Sequence, residues 1–216
     1  MFYFIKKVPK SLYLLISIFA FVFVFPIFDE TKFAQILDTT SFSIMLLSIF
    51  SIIDNKTNYL RYLVISSILL IILMYFMEHE FVRFAAFTSS SIIFAIATGV
   101  MIHQIIVSKT VTPKVIVETI SGYLLIGVVL VFLNSMMMWV NPDALSLPRE
   151  SGTEDLSNII YYSFITVTTI GYGDVLPVSQ LAKSLSILFG IIGQLYLTII
   201  IALIIGKYLS SNSPKN

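Results

Sequence analysis

Six long apolar stretches, separated by short polar segments, constrain the fold of this 216-residue chain more than any other feature. A helix needs roughly 17 to 25 apolar residues to cross about 30 Å of hydrocarbon, and each stretch is long enough. Only 12% of the residues are charged, whereas a soluble domain carries about 25%. The sequence therefore predicts an all-α membrane protein with six transmembrane helices. The stretches cover residues 12–28, 33–53, 59–77, 84–107, 115–140 and 180–209.

The first stretch has a second interpretation, because basic residues precede it as they precede the apolar core of a secretory signal peptide. These residues are Lys6, Lys7 and Lys10. No small-residue cleavage site follows Phe25 and Pro26, and the stretch is long for such a core. We therefore interpret it as the first transmembrane helix.

The basic residues predict an orientation, because Lys and Arg concentrate on the cytoplasmic side of a membrane. With the N-terminus inside, nine basic residues lie inside and four outside. We therefore expect a multi-pass plasma membrane protein with both termini in the cytoplasm. The inner set is Lys6, Lys7, Lys10, Lys56, Arg61, Lys109, Lys114, Lys207 and Lys215, and the outer set is Lys32, Arg83, Arg149 and Lys183.

The connection between the last two stretches, residues 141–179, has an apolar middle at 156–168 that is too short to span a bilayer. It is typical of a re-entrant helix. The chain has one such connection, so it cannot close a pore alone. The predicted division is an N-terminal four-helix domain at 1–110 and a pore domain at 111–216, in which Pro113 suits a helix start.

A glycine-containing motif, TTIGYGD at residues 168–174, follows the short apolar segment. Gly171 and Gly173 permit positive φ angles that larger residues resist, and such angles let successive carbonyls point the same way. A Gly-x-Gly pair alone indicates an ordinary turn. At membrane depth, irregular backbone is tolerated only where it lines a cavity or is packed in protein.

The run YYSFITVTTIGYGD at 161–174 resembles the pore helix and selectivity filter of the potassium channel superfamily. The usual filter of that family reads TVGYG, and this chain differs by Ile170 in place of valine. The resemblance implies a filter at 169–173, a pore helix at 156–168, an outer helix at 115–140 and an inner helix at 180–209. It also implies a fourfold homotetramer, because four copies supply the rings of carbonyl oxygens by which such filters select K+.

The residues that the resemblance assigns to K+ coordination contribute backbone oxygens, and the threonine adds its hydroxyl. K+ is then the permeant ligand, and no cofactor is expected. The coordinating residues are Thr169, Ile170, Gly171 and Tyr172, and Gly173 completes the filter.

Four neighbouring residues are expected to support the filter. By the resemblance, Tyr161 and Tyr162 pack behind it beside Thr168, and we predict that Tyr162 donates a hydrogen bond to Asp174. The alternative places both tyrosines in the aromatic belt of the membrane interface. Ile165 replaces a glutamate that pairs with this aspartate in some relatives, so that second brace is absent.

Two glycines of the inner helix, Gly190 and Gly193, are the candidate gating hinge, because Gly193 stands at the hinge position of the family. Small residues at this spacing are also ordinary helix-packing positions. Further along, Thr198, Ala202 and Ile205 are expected to line an apolar inner passage.

The fourth stretch, 84–107, contains no Lys or Arg, so the six-helix layout resembles the voltage-gated branch without its sensor arginines. Steep voltage gating needs about three or four charges per subunit, and we predict no conventional voltage sensing. His103 is a candidate for sensing cytoplasmic pH, although an interfacial histidine is the simpler interpretation. Asp38 is expected to reach the outer headgroups or to pair with Arg83.

These features together predict a potassium-selective channel subunit that conducts passively and is not an enzyme. Its expected partners are further copies of itself, membrane lipids and K+, and the net charge of +1 without a basic run excludes an obvious nucleic-acid surface. The alternatives are a non-conducting or partner-dependent regulatory subunit and a less selective cation channel. A secondary transporter is disfavoured, because the sequence shows no internal repeats.

Overall fold

A computed structural model describes residues 10–28, 34–52, 58–76, 80–108, 110–147 and 156–212. This part of the chain is mostly α-helical, and an isolated bridge between Leu145 and Pro177 is its β-type pairing. The helices are α1 (Lys10–Phe19), continued by a π-helical turn (Ala20–Val24) and a 3₁₀ turn (Phe25–Phe28), α2 (Ala34–Ile52), α3 (Asn58–Phe76), α4 (Glu80–Val107), α5 (Pro113–Val140), α6 (Leu156–Val167) and α7 (Gln180–Asn212).

Each predicted apolar stretch corresponds to a helix of nearly the predicted extent. Among the described residues, three helices are long and apolar enough to cross a membrane, namely Phe84–Val107 within α4, Pro113–Val140 and Gln180–Ser210 within α7. The apolar parts of α1, α2 and α3 are shorter in the described residues. The membrane character of the chain is thus supported, whereas the full set of six spans stays a prediction.

Several residues used for the orientation lie outside the described part of the chain. They include Lys6, Lys7, Lys32, Lys56, Lys109, Arg149 and Lys215. Asp38 and Arg83 belong to α2 and α4, but their side chains also lie outside the described structure. The proposed pairing of Asp38 with Arg83 stays a prediction.

Helix α5 begins where the proline predicted. Pro113 occupies the first turn, where its missing N–H is not needed. Thr112 is the N-cap, and its hydroxyl accepts a hydrogen bond of 3.4 Å from the amide of Val115. At the other end, the amide of Asn141 donates to the carbonyl of Met137 and closes the last turn.

A cluster of phenylalanines joins the N-terminal helices to α5. The ring of Phe132 in α5 lies 5.1 Å from Phe42 of α2 and 5.2 Å from Phe94 of α4, measured between centroids. Phe21 continues the cluster at 4.9 Å from Phe42. Such ring pairs contribute about 0.5–1.5 kcal/mol each beyond their buried area, so they fix α5 against α2 and α4, and α2 against the π-helical turn.

Hydrogen bonds between serine hydroxyls join helices α3 and α4. The hydroxyl of Ser67 lies 2.8 Å from that of Ser89 and 3.2 Å from that of Ser90. Ser67 and Ser90 are buried. Hydroxyl pairs of this kind join helices in membranes without the cost of burying an ion.

Candidate functional site

The short helix α6 lies where the re-entrant helix was predicted, and α5 holds one of its sides. The side-chain amide of Asn134 donates a buried 3.0 Å hydrogen bond to the hydroxyl of Ser163. The ring of Phe164 lies against Gly127, where a Cβ atom would come within 2.6 Å of it. A glycine is therefore needed at position 127 for α6 to approach α5 this closely.

Helix α7 also contacts α6. The hydroxyls of Tyr162 and Ser186 are 2.5 Å apart. Gly193 lies against the carbonyl of Val167, the last residue of α6, and a Cβ atom at 193 would overlap that oxygen. Further along, the hydroxyl of Tyr196 donates a 2.7 Å hydrogen bond to the carbonyl of Thr119, which ties α7 to α5. The end of α6 is thus held by α5 and α7.

The predicted filter segment turns back on the end of α6. The amide of Thr169 donates to the carbonyl of Thr166 at 3.0 Å, and those of Ile170 and Gly171 donate to Ile165 at 3.0 and 3.1 Å. These bonds satisfy carbonyls that a helix end otherwise leaves free. The amides of residues 169–171 therefore point toward α6.

Both glycines of the segment have the positive φ angles that the sequence led us to expect. Gly171 has φ of +52° and Gly173 of +83°. Thr169 also has a positive φ, +59°, which is uncommon for a β-branched residue. No sequence pattern signals the conformation of Thr169, because it depends on the hydrogen bonds to α6.

The carbonyl oxygens of residues 169–173 accept no hydrogen bond from the described part of the chain. All five residues are exposed, Ile170 at 54% and Tyr172 at 72%. Backbone carbonyls are hard neutral ligands that replace the water shell of an alkali cation. The C-terminal end of α6 beside them carries the negative end of a helix dipole, which favours a cation.

Asp174, which follows the segment, is held by Tyr161. The tyrosine hydroxyl donates to Oδ2 of the carboxylate at 2.6 Å, and the amide of Val175 donates to Oδ1 at 2.9 Å. The hydrogen bond from Tyr161 lowers the pKa of the Asp174 carboxyl below its usual value. Asp174 is therefore ionised at neutral pH beside the predicted filter.

The predicted hydrogen bond from Tyr162 to Asp174 is wrong. Neighbouring residues of a helix point about 100° apart, and here Tyr162 faces α7 while Tyr161 faces Asp174. The sequence contains both tyrosines, but it does not show which side of α6 faces α7. Thr168 bonds to α6 itself, because its hydroxyl donates to the carbonyl of Phe164 at 2.6 Å.

A pairing that the sequence did not reveal anchors the chain beyond the segment. The amide of Ser146 donates to Leu176 at 2.9 Å, and that of Val178 donates to Ala144 at 2.8 Å. The hydroxyl of Ser146 also accepts from the amide of Leu176 at 2.7 Å. The paired segments are too short for an alternating pattern to indicate them.

The predicted hinge region lies inside an unbroken helix, since α7 runs through both Gly190 and Gly193. Gly193 makes the close contact with Val167, whereas a Cβ atom at Gly190 would meet Thr166 at an ordinary 3.8 Å. Packing therefore accounts for Gly193, and the hinge stays a prediction.

Three residues of the predicted inner passage, and the histidine, lie at the surface of the chain. Thr198, Ala202 and Ile205 are exposed along α7, and His103 is exposed on α4. Their predicted roles stay predictions.

Comparisons with known proteins find matches in the part of the chain that contains this site. A family model described as "Ion channel" matches residues 118–210. The chain is also 31% identical over 95 residues to the two-pore potassium channel 2 of Arabidopsis thaliana, a match that covers 44% of this chain and 19% of the relative. The chain thus spans about a fifth of the length of that protein. No solved structure matches the chain.

Proposed function

We propose that the chain belongs to the potassium channel superfamily, which the matches over residues 118–210 support. The match to an ion channel family model and the apolar, span-capable helices support a membrane protein related to ion channels.

We propose that the chain is a subunit of a potassium-selective channel, with K+ coordinated by backbone oxygens of Thr169, Ile170, Gly171 and Tyr172. The observation that supports this most directly is the row of carbonyls at 169–173 that accept no hydrogen bond in the described structure. Coordination by a dehydrated cation satisfies such oxygens at membrane depth. Flux is passive, and no covalent chemistry takes part.

The proposed assembly is a fourfold homotetramer with α5, α6 and α7 around the pore. One chain supplies one side of each oxygen cage, so a closed pore requires several copies. The apolar side chains of Ile170 and Tyr172 are exposed in the single chain. The span within α7 is 22% buried, against 67% for α5. Neighbouring copies cover these surfaces in the proposed tetramer.

The proposed location is the plasma membrane, with both termini in the cytoplasm. This orientation places Asp174 at the outer mouth, where an anionic group attracts cations. It places the C-terminal end of α7 at the inner mouth. The helix α4 has no Lys or Arg between 84 and 107, so gating does not depend on conventional voltage sensing.

The deciding experiment compares K+ and Na+ flux through purified protein in liposomes. Wild-type protein is expected to pass K+ selectively, and Gly171→Ala is expected to lose at least about tenfold of the K+ flux, because alanine resists a φ of +52°. Gly99→Ala is the matched control, since its Cβ atom meets nothing within 4 Å. Equal K+ and Na+ flux indicates a less selective channel. Absent flux from folded protein contradicts the proposal and favours a regulatory subunit.

The assembly is tested separately by cross-linking, because the chain contains no cysteine. A single cysteine at Ile191, which is exposed on α7, is expected to give a covalent dimer band with a short bifunctional reagent, because each chain then carries one thiol. Light scattering of the detergent-solubilised protein is expected to give the mass of four chains. Ile65, which is equally exposed on α3, is the control position. A monomer band alone from Ile191→Cys contradicts the tetramer.

A further inference from the structure

The side chain of Lys207, near the C-terminal end of α7, reaches the C-terminal end of α4. Its Nζ donates to the carbonyl oxygens of Ile105 at 2.5 Å and of Ile106 at 2.8 Å. It also lies 3.4 Å from the hydroxyl of Ser108. One ammonium group therefore joins the ends of two helices that are far apart in the sequence.

The end of α4 supplies the acceptors for this contact. The carbonyl of Gln104 accepts the amide of Ser108 at 3.0 Å, and the carbonyls that follow it lie beyond the last hydrogen bond of the helix. α4 has no basic residue in its own last turn. Lys207 therefore satisfies two carbonyls and brings a positive charge to the negative end of the helix dipole.

The end of α7 is mostly exposed in the described structure. Its hydrogen bond to α5, from Tyr196, lies eleven residues before Lys207. Around the lysine, Ile205, Gly206, Tyr208 and Leu209 are exposed, whereas Lys207 itself is half-buried. The contact with α4 thus constrains the part of α7 that packing constrains least.

Helix α4, in contrast, is well anchored. Phe94, Met101 and Ile105 are buried on it, and its serines bond to α3. Because α4 is anchored and the end of α7 is exposed, the contact between them lets the position of α4 determine that of the end of α7.

We propose that Lys207 is a latch through which the four N-terminal helices hold the C-terminal end of α7. The latch gives helices without gating charges a means to influence the pore. Its effect on ion flux rests on the proposed function, in which α7 lines the inner passage. Its effect on structure does not.

Hydrogen-deuterium exchange of the purified full chain measures the latch without any ion flux. In Lys207→Met the amides at the end of α4, near residues 105–108, are expected to exchange about tenfold faster, because a charge-assisted hydrogen bond to the helix end is lost. Lys207→Arg keeps a donor and is expected to resemble the wild type. Lys183→Met, an exposed lysine at the other end of α7, is the matched control. Unchanged exchange in Lys207→Met overturns the proposal.

A chemical rescue separates charge from folding defects, because the chain lacks cysteine. Lys207→Cys treated with aminoethyl methanethiosulfonate regains an ammonium group on a side chain one atom longer than lysine. Slow exchange at the end of α4 is expected to return with this reagent and not with methyl methanethiosulfonate, which adds no charge. Equal behaviour of the two adducts overturns the proposal.

Flux then tests the consequence for the pore. The K+ flux of Lys207→Met is expected to differ at least about fivefold from that of the wild type. A rise in flux shows that the latch holds a closed conformation, and a fall shows that it holds an open one. If Lys207→Met shows faster exchange but unchanged K+ flux, the proposed influence of the latch on the pore is wrong. Absent wild-type flux with faster exchange in the variant rejects the proposed function and leaves the structural latch standing.

Discussion

Helices α5 and α7 are both long and apolar, yet they differ in where their partners are. The span within α5 is 67% buried by its own chain, whereas the span within α7 is 22% buried. α5 contacts the N-terminal helices through Phe132 and α6 through Gly127 and Asn134. α7 contacts α6 and α5 at a few points and leaves most of its apolar surface uncovered.

The difference teaches that hydropathy does not distinguish a helix that completes a subunit from one that faces other copies. A helix that is apolar all round is buried in protein or in lipid. In α5 the covering groups belong to the same chain. In α7 they are lipid or, as proposed, neighbouring copies, so a few close contacts carry its attachment to the subunit.

The largest expected effect comes from the contact of Gly193 with the carbonyl of Val167. Gly193→Ala is expected to destabilise the protein by about 3 kcal/mol, because the backbone oxygen cannot move aside as a side chain can. Thermal unfolding in detergent, followed by circular dichroism, measures the change. Gly190→Ala on the same helix has room for its methyl group and is expected to be neutral or slightly stabilising. Equal unfolding midpoints for Gly193→Ala and Gly190→Ala would show that the close contact at Gly193 does not hold α7 against α6.

A somewhat smaller effect is expected at Gly127, where α5 meets the ring of Phe164. Gly127→Ala is expected to cost about 1–2 kcal/mol in the same assay, since the ring can shift partly. Adding Phe164→Leu removes the obstructing ring and is expected to recover part of the loss. Wild-type stability of Gly127→Ala shows that α6 is not held this closely against α5.

The buried hydrogen bond from Asn134 to Ser163 is the next test of α5. A double-mutant cycle with Asn134→Ala and Ser163→Ala is expected to give a coupling free energy of about 1 kcal/mol, because either single change leaves a buried polar group unpaired. The cycle uses unfolding free energies of the four proteins under one condition. Additive losses would show that the two side chains act independently.

The smallest effect on stability is expected at the hydrogen bond from Tyr161 to Asp174. Removing the hydroxyl in Tyr161→Phe is expected to raise the pKa of Asp174 toward its ordinary value, as measured by NMR titration of the carboxyl carbon. Because the pKa of Asp174 is lowered in the folded protein, the hydrogen bond stabilises the fold at neutral pH. This stabilisation is lost as the pH falls from the ordinary pKa through the lowered pKa of the folded state.

Tyr162→Phe is the control for this titration, because Tyr162 bonds to Ser186. A shift of the Asp174 pKa in Tyr162→Phe and none in Tyr161→Phe would restore the original prediction.

The features of the candidate site that depend on local backbone chemistry were predictable from the sequence, and those that depend on helix packing were not. The positive φ angles of Gly171 and Gly173 follow from the residue type. The choice between Tyr161 and Tyr162 depends on how α6 is rotated between α5 and α7, and nothing in the sequence of α6 fixes that rotation. The pairing of residues 144–146 with 176–178 likewise depends on where two loops meet.

By itself, the sequence determined the helices, the short apolar helix α6 and the position of the TTIGYGD motif at 168–174, because membrane length, proline and glycine act locally. The tertiary structure alone decided the positive φ of Thr169, the partner of Asp174, the close contact at Gly193 and the reach of Lys207 to the end of α4. Each of these depends on the distance and rotation between helices that are remote in the sequence.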